Sequence, residues 1–386
     1  MRNTDTVIYM DHAATTPLLA EVSEVMRPYF CEQYGNPSAI YRPAGTAAKA
    51  VSAARTQIAD QIGALPEEIF FTSGGSESDN WALFSVCEER GFKDCHIITT
   101  RIEHHAIINT CKRLERLGVR VTYLPVSPVG VVDPELVSQS ICPETVMVSV
   151  MHANNEIGTI EPISEIGAIT GERHVLFHTD AVQAAGHIPV DVRADGVDMM
   201  SVSAHKLGGP KGVGMLYVRK GVSIYPFIHG GSQERGRRAG TLNVPGIIGF
   251  GEAMRLACAN MEQNSELTRQ MRDRLTSRLL TEIPDSRLNG DPDNRLPGNV
   301  NISFRGIEGE TLLIMLDQAG ICASGGSACS TGALEPSHVL TALGLDEASA
   351  RGSVRFTLSE HNTPGEVDRV ADTVKEIIEH LRAVRL

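Results

Sequence analysis

Ser203-Ala204-His205-Lys206-Leu207-Gly208-Gly209-Pro210-Lys211-Gly212 is the stretch on which the reading of this chain turns. Its small polar start suits the end of a strand, and the glycines after Leu207 suit a tight turn. A lysine between the two stands where α/β folds place ligand groups, at the carboxyl end of a strand. Such an amine can form a Schiff base with a carbonyl compound. A lone lysine in a polar loop is ordinarily a surface residue, so the reading depends on what accompanies Lys206.

Three upstream segments and one downstream segment accompany it. Val175-Leu176-Phe177 reads as a buried strand, which puts Asp180 at its carboxyl end. Glu68-Ile69-Phe70-Phe71-Thr72 reads as a short strand that runs through Ser73-Gly74-Gly75-Ser76 into a helix. That helix start, with the Ser76 hydroxyl, suits a phosphate. It is neither a Walker loop nor a GxGxxG fingerprint. His104 follows the apolar run Ile97-Ile98-Thr99-Thr100, placed to stack on a flat ring and shuttle protons. With His105 it also has metal-ligand character, but no third ligand stands at convincing spacing, so no metal is expected. Downstream, Cys329 sits in Ala323-Ser324-Gly325-Gly326-Ser327-Ala328-Cys329-Ser330-Thr331-Gly332, small residues that leave a thiol accessible. A Schiff-base lysine, a carboxylate for a pyridine nitrogen and a phosphate cradle together point to pyridoxal 5'-phosphate (PLP).

These segments resemble the cysteine desulfurases of the NifS/IscS kind, PLP enzymes within the class-V aminotransferases. The resemblance begins at Tyr9-Met10-Asp11-His12-Ala13-Ala14-Thr15-Thr16-Pro17 and continues through Tyr34-Gly35-Asn36-Pro37-Ser38 and His152-Ala153-Asn154-Asn155-Glu156-Ile157-Gly158. It takes in Glu234-Arg235-Gly236-Arg237-Arg238-Ala239-Gly240-Thr241 and ends with Leu334-Glu335-Pro336-Ser337 and Val354-Arg355-Phe356. It implies the aspartate-aminotransferase-like fold type I, with a mainly parallel sheet in a large domain and a smaller α+β domain. In site terms it implies Lys206 as PLP anchor and base, Asp180 on the ring nitrogen, Gln183 and Asn155 near the ring hydroxyl, and His104 stacked on the ring. It further implies Gly75, Ser76, Ser203 and His205 in the phosphate cradle, and Thr241 donated across a homodimer. Arg355, with Asn155 close by, would bind the carboxylate of L-cysteine, and Cys329 would take its sulfur as a persulfide.

The implied reaction turns L-cysteine into L-alanine and hands sulfur to an iron–sulfur scaffold or a tRNA-thiolation protein. Selenocysteine lyase, an aminotransferase and a non-catalytic sulfur-trafficking subunit are the rival readings. Gly75-Ser76 stands where many relatives carry Ala-Thr, which keeps the hydroxyl, and Gly326 stands where serine is common. The cysteine segment has the length of the long-loop branch. The chain ends at Leu386, without the C-terminal extension by which some relatives dock a scaffold, so docking by that route is not expected.

Composition agrees. A chain of 386 residues that is 42% hydrophobic can bury a large core and divides into about two domains. We expect a large domain over 14–260 and a small one from 1–13 with 261–386. Net charge of −12 argues against a nucleic-acid groove. There is no apolar run of membrane-spanning length and no signal-peptide pattern. Eight cysteines without a CxxC pair suit a reducing cytoplasm. Apolar runs alternate with amphipathic helices up to Gly214-Met215-Leu216-Tyr217-Val218, helical pattern fills 245–283, and strands at 299–304 and 353–358 precede a terminal helix.

Overall fold

The computed structural model describes residues 7–88, 90–325 and 336–384. Its strands in chain order are β1 (Ile8–Tyr9), β2 (Ile69–Thr72), β3 (His96–Thr100), β4 (Arg120–Leu124), β5 (Thr145–Ser149) and β6 (Leu176–Asp180). They continue with β7 (Met199–Ser203), β8 (Gly214–Val218), β9 (Ser286–Leu288), β10 (Asn299–Phe304), β11 (Ile321–Cys322) and β12 (Ser353–Thr357).

The main sheet runs β2-β8-β7-β6-β5-β3-β4. Neighbours are parallel except where β8 pairs antiparallel with both β2 and β7. This is the parallel-rich α/β sheet expected from the alternating pattern. Its strands are apolar on successive residues because both faces are covered. Ile98, Val148, Phe177 and Met200 pack on one face, while Ile97, Met147 and Met199 pack on the other. Helices Arg42–Asp60 and Val244–Ala259 cover the first face, and Gly75–Glu88 and His105–Glu115 the second.

A separate antiparallel sheet, β12-β10-β9, builds its own core with helices Met261–Glu282, Gly309–Gln318 and Pro364–Val384. Ile8 and Met10 belong to this core, and β1 pairs with β11. The N-terminal arm therefore ties itself to the last third of the chain before it enters the first. The helical stretch expected over 245–283 is two helices, divided at Asn260. No described helix is long and apolar enough to cross a membrane.

Candidate active site

Parallel strands deliver their carboxyl ends to one edge of a sheet, and here four neighbours do so. β6 ends at Asp180, and β7 ends at Ser203 before the turn Ala204–Lys206. β3 leads to His104, which caps the helix His105–Glu115 by accepting the Ala106 N–H on Nδ1 at 3.2 Å. β5 leads toward Asn155. Glu103 fixes the turn before His104, since its carboxyl accepts from the Thr100 hydroxyl (2.8 Å) and the Met151 N–H (3.0 Å).

Burial governs the protonation of this edge. Asp180 is pushed up to about 6 by desolvation, while the Val182 N–H (2.9 Å to Oδ1) and the Lys206 charge oppose the rise. Desolvation, then the charge of Lys206, push His104 down to about 4, so its ring is neutral at pH 7. Because Nδ1 accepts a hydrogen bond, the ring proton is assigned to Nε2. Asp79, on the helix that starts at Gly75, is also buried. Desolvation and then Asp180 raise it well above the usual carboxylate range. One ligand atom each from Asp79, His104 and Asp180 lie within 4.8 Å of one another. Two carboxyls this close do not both ionise without a cation beside them.

Lys206 is held by the N-terminal arm. Its Nζ donates to the carbonyls of Ala13 (2.5 Å) and Ala14 (2.7 Å). The Gln183 amide donates to Ala13 O at 3.0 Å, and Thr15 Oγ1 meets His205 Nδ1 at 3.0 Å. The arm's Ala13-Ala14 pair thus works through its backbone, which two alanines gave no reason to expect.

His205 lines a cavity of about 260 Å³ with Ser203, Lys211 and the run Ser73–Glu77. Lys206, one residue on, lines a second cavity of about 310 Å³ with Ala13, Gln183 and His187. In the first cavity the start of helix Gly75–Glu88, three serine hydroxyls, an imidazole and an ammonium converge, a donor set that suits a phosphate dianion. Glu77 at its rim stays ionised despite burial, held down by Arg238 (2.9 Å) and the Ser73 N–H (2.8 Å). Gly214, on β8, packs against the backbone of Gly74 in the cradle. A Cβ there would lie 2.5 Å from Val202 O and 2.7 Å from Gly74 Cα, both backbone atoms. Gly214→Ala should therefore cost about 1–3 kcal/mol in urea melts, the range of overpacking, and should weaken phosphate binding. An unchanged midpoint would show that the contact relaxes freely.

Arg355 lies in β12 and is only 1% exposed. Its Nη2 donates to Asp11 Oδ1 and its Nη1 to Asn155 O, at 2.8 and 2.9 Å. Thr241 is exposed and does not line the cradle of its own chain. Cys329 lies outside the described residues.

The family model described as aminotransferase class-V matches residues 8–370. The chain belongs to the class-V aminotransferases. It is 52% identical over 375 residues to a protein named cysteine desulfurase IscS from Methanosarcina thermophila, covering 97% of this chain and 93% of the relative. A solved NifS-like protein superposes with a TM-score of 0.92 at 39% identity, covering 97% of this chain and all of that one. A structure of SspA in complex with cysteine gives 0.82 at 38%, covering 93% and 100%.

Class-V aminotransferases use PLP, and the donor set of this chain fits that group at both ends. The cradle offers donors for the phosphate, and Asp180 offers a buried carboxylate for the ring nitrogen. Lys206, His104, Asp180 and Gln183 share the edge of the sheet that the sequence motifs assign them, and Gly75, Ser76, Ser203 and His205 share the cradle. Sequence reasoning missed Asp79, Glu103, Lys211 and the arm carbonyls. Lys211 was within reach, because it stands in the same glycine-rich turn as Lys206.

Proposed function

We propose that this protein is a PLP-dependent cysteine desulfurase that converts L-cysteine to L-alanine and carries the sulfur as a persulfide on Cys329. The observation that carries the reading is Lys206 at one sheet edge with Asp180 and His104, beside a phosphate cradle, in a chain half identical to proteins of that name. Incubation with L-cysteine should yield equimolar alanine and a persulfide on the Cys329 peptide. Turnover of a keto acid in place of persulfide would favour an aminotransferase. A preference for selenocysteine would favour the lyase.

The roles follow from the chemistry of each group. Ser76, Ser203 and His205 would hold the phosphate with the Gly75 backbone, and Thr241 would reach the partner's phosphate in a homodimer. When bound, PLP supplies an electron sink for the charge left by a departing α-proton. Lys206 would anchor it and, once displaced by substrate, accept that proton at Nζ, an atom already aimed by two carbonyls. His104 presents Nε2–H and can return a proton. Asn155 and Gln183 would orient the ring. The Cys329 thiolate would attack the substrate sulfur. An S–S bond forms, the Cβ–S bond breaks with its electron pair on Cβ, and protonation there gives alanine.

Arg355 would bind the substrate carboxylate, a planar fork that ammonium does not reproduce. Arg355→Lys should raise the KM for cysteine by about tenfold, since a charge-assisted hydrogen bond is worth about 1.5–3 kcal/mol. An unchanged KM would place the carboxylate elsewhere.

We read the large domain as 14–260 and the small one as 1–13 with 261–386, in a cytoplasmic enzyme. The exposed Phe30, Tyr34, Ile40 and Tyr41, close together in the chain, support a homodimer, because several large apolar side chains left in water suit a covered surface. The sulfur acceptor would be an iron–sulfur scaffold or a tRNA-thiolation protein.

A further inference from the structure

Arg355 is sealed. Its residue is 1% exposed, and its Nε is buried without a hydrogen-bond partner among the described residues. The group that covers it is Asp11, whose carboxylate bridges two elements. Oδ1 accepts from Arg355 Nη2 at 2.8 Å, and Oδ2 accepts from the Ser324 hydroxyl at 2.7 Å. Ser324 in turn exchanges backbone hydrogen bonds with Arg355, at 2.7 and 3.1 Å. The Asp11 side chain is itself 16% exposed, so the carboxylate lies at the mouth and the guanidinium behind it.

A substrate carboxylate cannot reach Arg355 while this arrangement stands. A buried guanidinium also cannot be left without a counter-ion, because an unpaired buried charge is strongly destabilising. Both demands are met if one carboxylate replaces another. The backbone of Asp11 is pinned, with its carbonyl accepting from Ala14 N at 3.0 Å and from the Tyr9 hydroxyl at 3.2 Å. Rotation of the side chain alone then suffices for the exchange. Glu156, the other acid near Arg355, does not fill the role. Its carboxyl accepts from the Ser337 hydroxyl at 2.5 Å, and burial raises it to about 7, so it is only part-ionised near neutral pH.

We propose that Asp11 is an internal stand-in for the substrate carboxylate, a positioning residue that occupies Arg355 until an amino acid displaces it. It thereby sets how strongly the site selects ligands bearing a carboxylate. The proposal rests on the reading that Arg355 is the carboxylate site. A ligand with an α-carboxylate restores the ion pair that it breaks. One without it must either leave Asp11 in place or strand the charge.

Two measurements test this. The first needs no cofactor: labelling of the PLP-free chain with phenylglyoxal, read on the Arg355 peptide. Wild type should label slowly, and Asp11→Asn several times faster. The second is a spectral titration of the PLP-loaded protein with L-alanine and with L-alaninamide, which lacks the carboxylate. Asp11→Asn should bind L-alanine about tenfold more tightly, the scale of one charge-assisted hydrogen bond removed from competition, and L-alaninamide within about twofold. Ser324→Ala, which frees one oxygen of Asp11, should shift L-alanine in the same direction by less, and serves if the Asn variant does not fold. Equal labelling of wild type and Asp11→Asn, weaker L-alanine binding by the variant, or an equal shift for both ligands would each overturn the stand-in role. If Arg355→Lys treats the two ligands alike, the underlying reading of Arg355 fails instead, and the labelling result still decides whether Asp11 covers it.

Discussion

Cys329→Ser should bind L-cysteine as well as the parent does and make almost no persulfide. The two properties separate because they use different groups. Binding would draw on Arg355, the cradle and the sheet edge at Asp180, whose side chains the substitution leaves unchanged. Sulfur transfer needs a polarisable thiolate at Cys329, and a serine hydroxyl neither ionises near neutral pH nor forms a stable bond to sulfur of the same kind. Loss of a nucleophile costs on the order of a thousandfold or more in turnover. Mass spectrometry of the cysteine-treated protein should show the parent gaining one sulfur on the Cys329 peptide and the variant gaining none. The spectral change on adding cysteine should persist in both. Persulfide on another of the eight cysteines at the parent rate would assign the nucleophile elsewhere.

What the sequence revealed of the fold depended on periodicity and on strand ends. The parallel-rich sheet was legible because apolar runs such as Ile97-Ile98 and Val175-Leu176-Phe177 alternate with amphipathic helices, and strands covered on both faces need such runs. Asp180 and His104 were legible because each follows such a run within a few residues, and Lys206 because it stands between a small polar strand end and a glycine-rich turn. Asp79 was not. It stands one turn into a helix, where an acid is ordinary, and only the packing of that helix on β6 and β7 turns it inward. Neither were Ala13 and Ala14, whose contribution is two carbonyl oxygens that no side chain announces. Arg355 was legible as a residue but not as a state. Its cover, Asp11, is 344 residues away along the chain and meets it because β1 pairs with β11 beside β12.

Lys206→Ala should lose nearly all turnover, retain a weakened affinity for PLP, and form no covalent link to it. The retained affinity would come from Gly75, Ser76, Ser203 and His205 in the cradle and from Asp180, groups whose donors and acceptors do not depend on the lysine. The lost turnover has two sources. A positioned general base contributes about 10²–10⁴-fold, and the anchor adds orientation that a freely exchanging cofactor lacks. The geometry makes the base role specific. Nζ is held by the Ala13 and Ala14 carbonyls, so a shorter side chain leaves Ala14 O without that donor and Ala13 O with the Gln183 amide alone, and an arginine cannot satisfy them in the same place. Borohydride treatment should fix PLP on the Lys206 peptide of the parent and nowhere on the variant. A small amine such as methylamine should restore part of the turnover of Lys206→Ala, because it can supply the missing base in the space the side chain left. Covalent PLP on Lys211, or turnover within tenfold of the parent without added amine, would place the anchor elsewhere. Lys211 is the instructive competitor. It lines the cradle five residues away, and its Nζ rests on Thr16 O at 3.2 Å. A lysine lining the cradle suits the charge of a phosphate, whereas Lys206 lines the neighbouring cavity with Gln183.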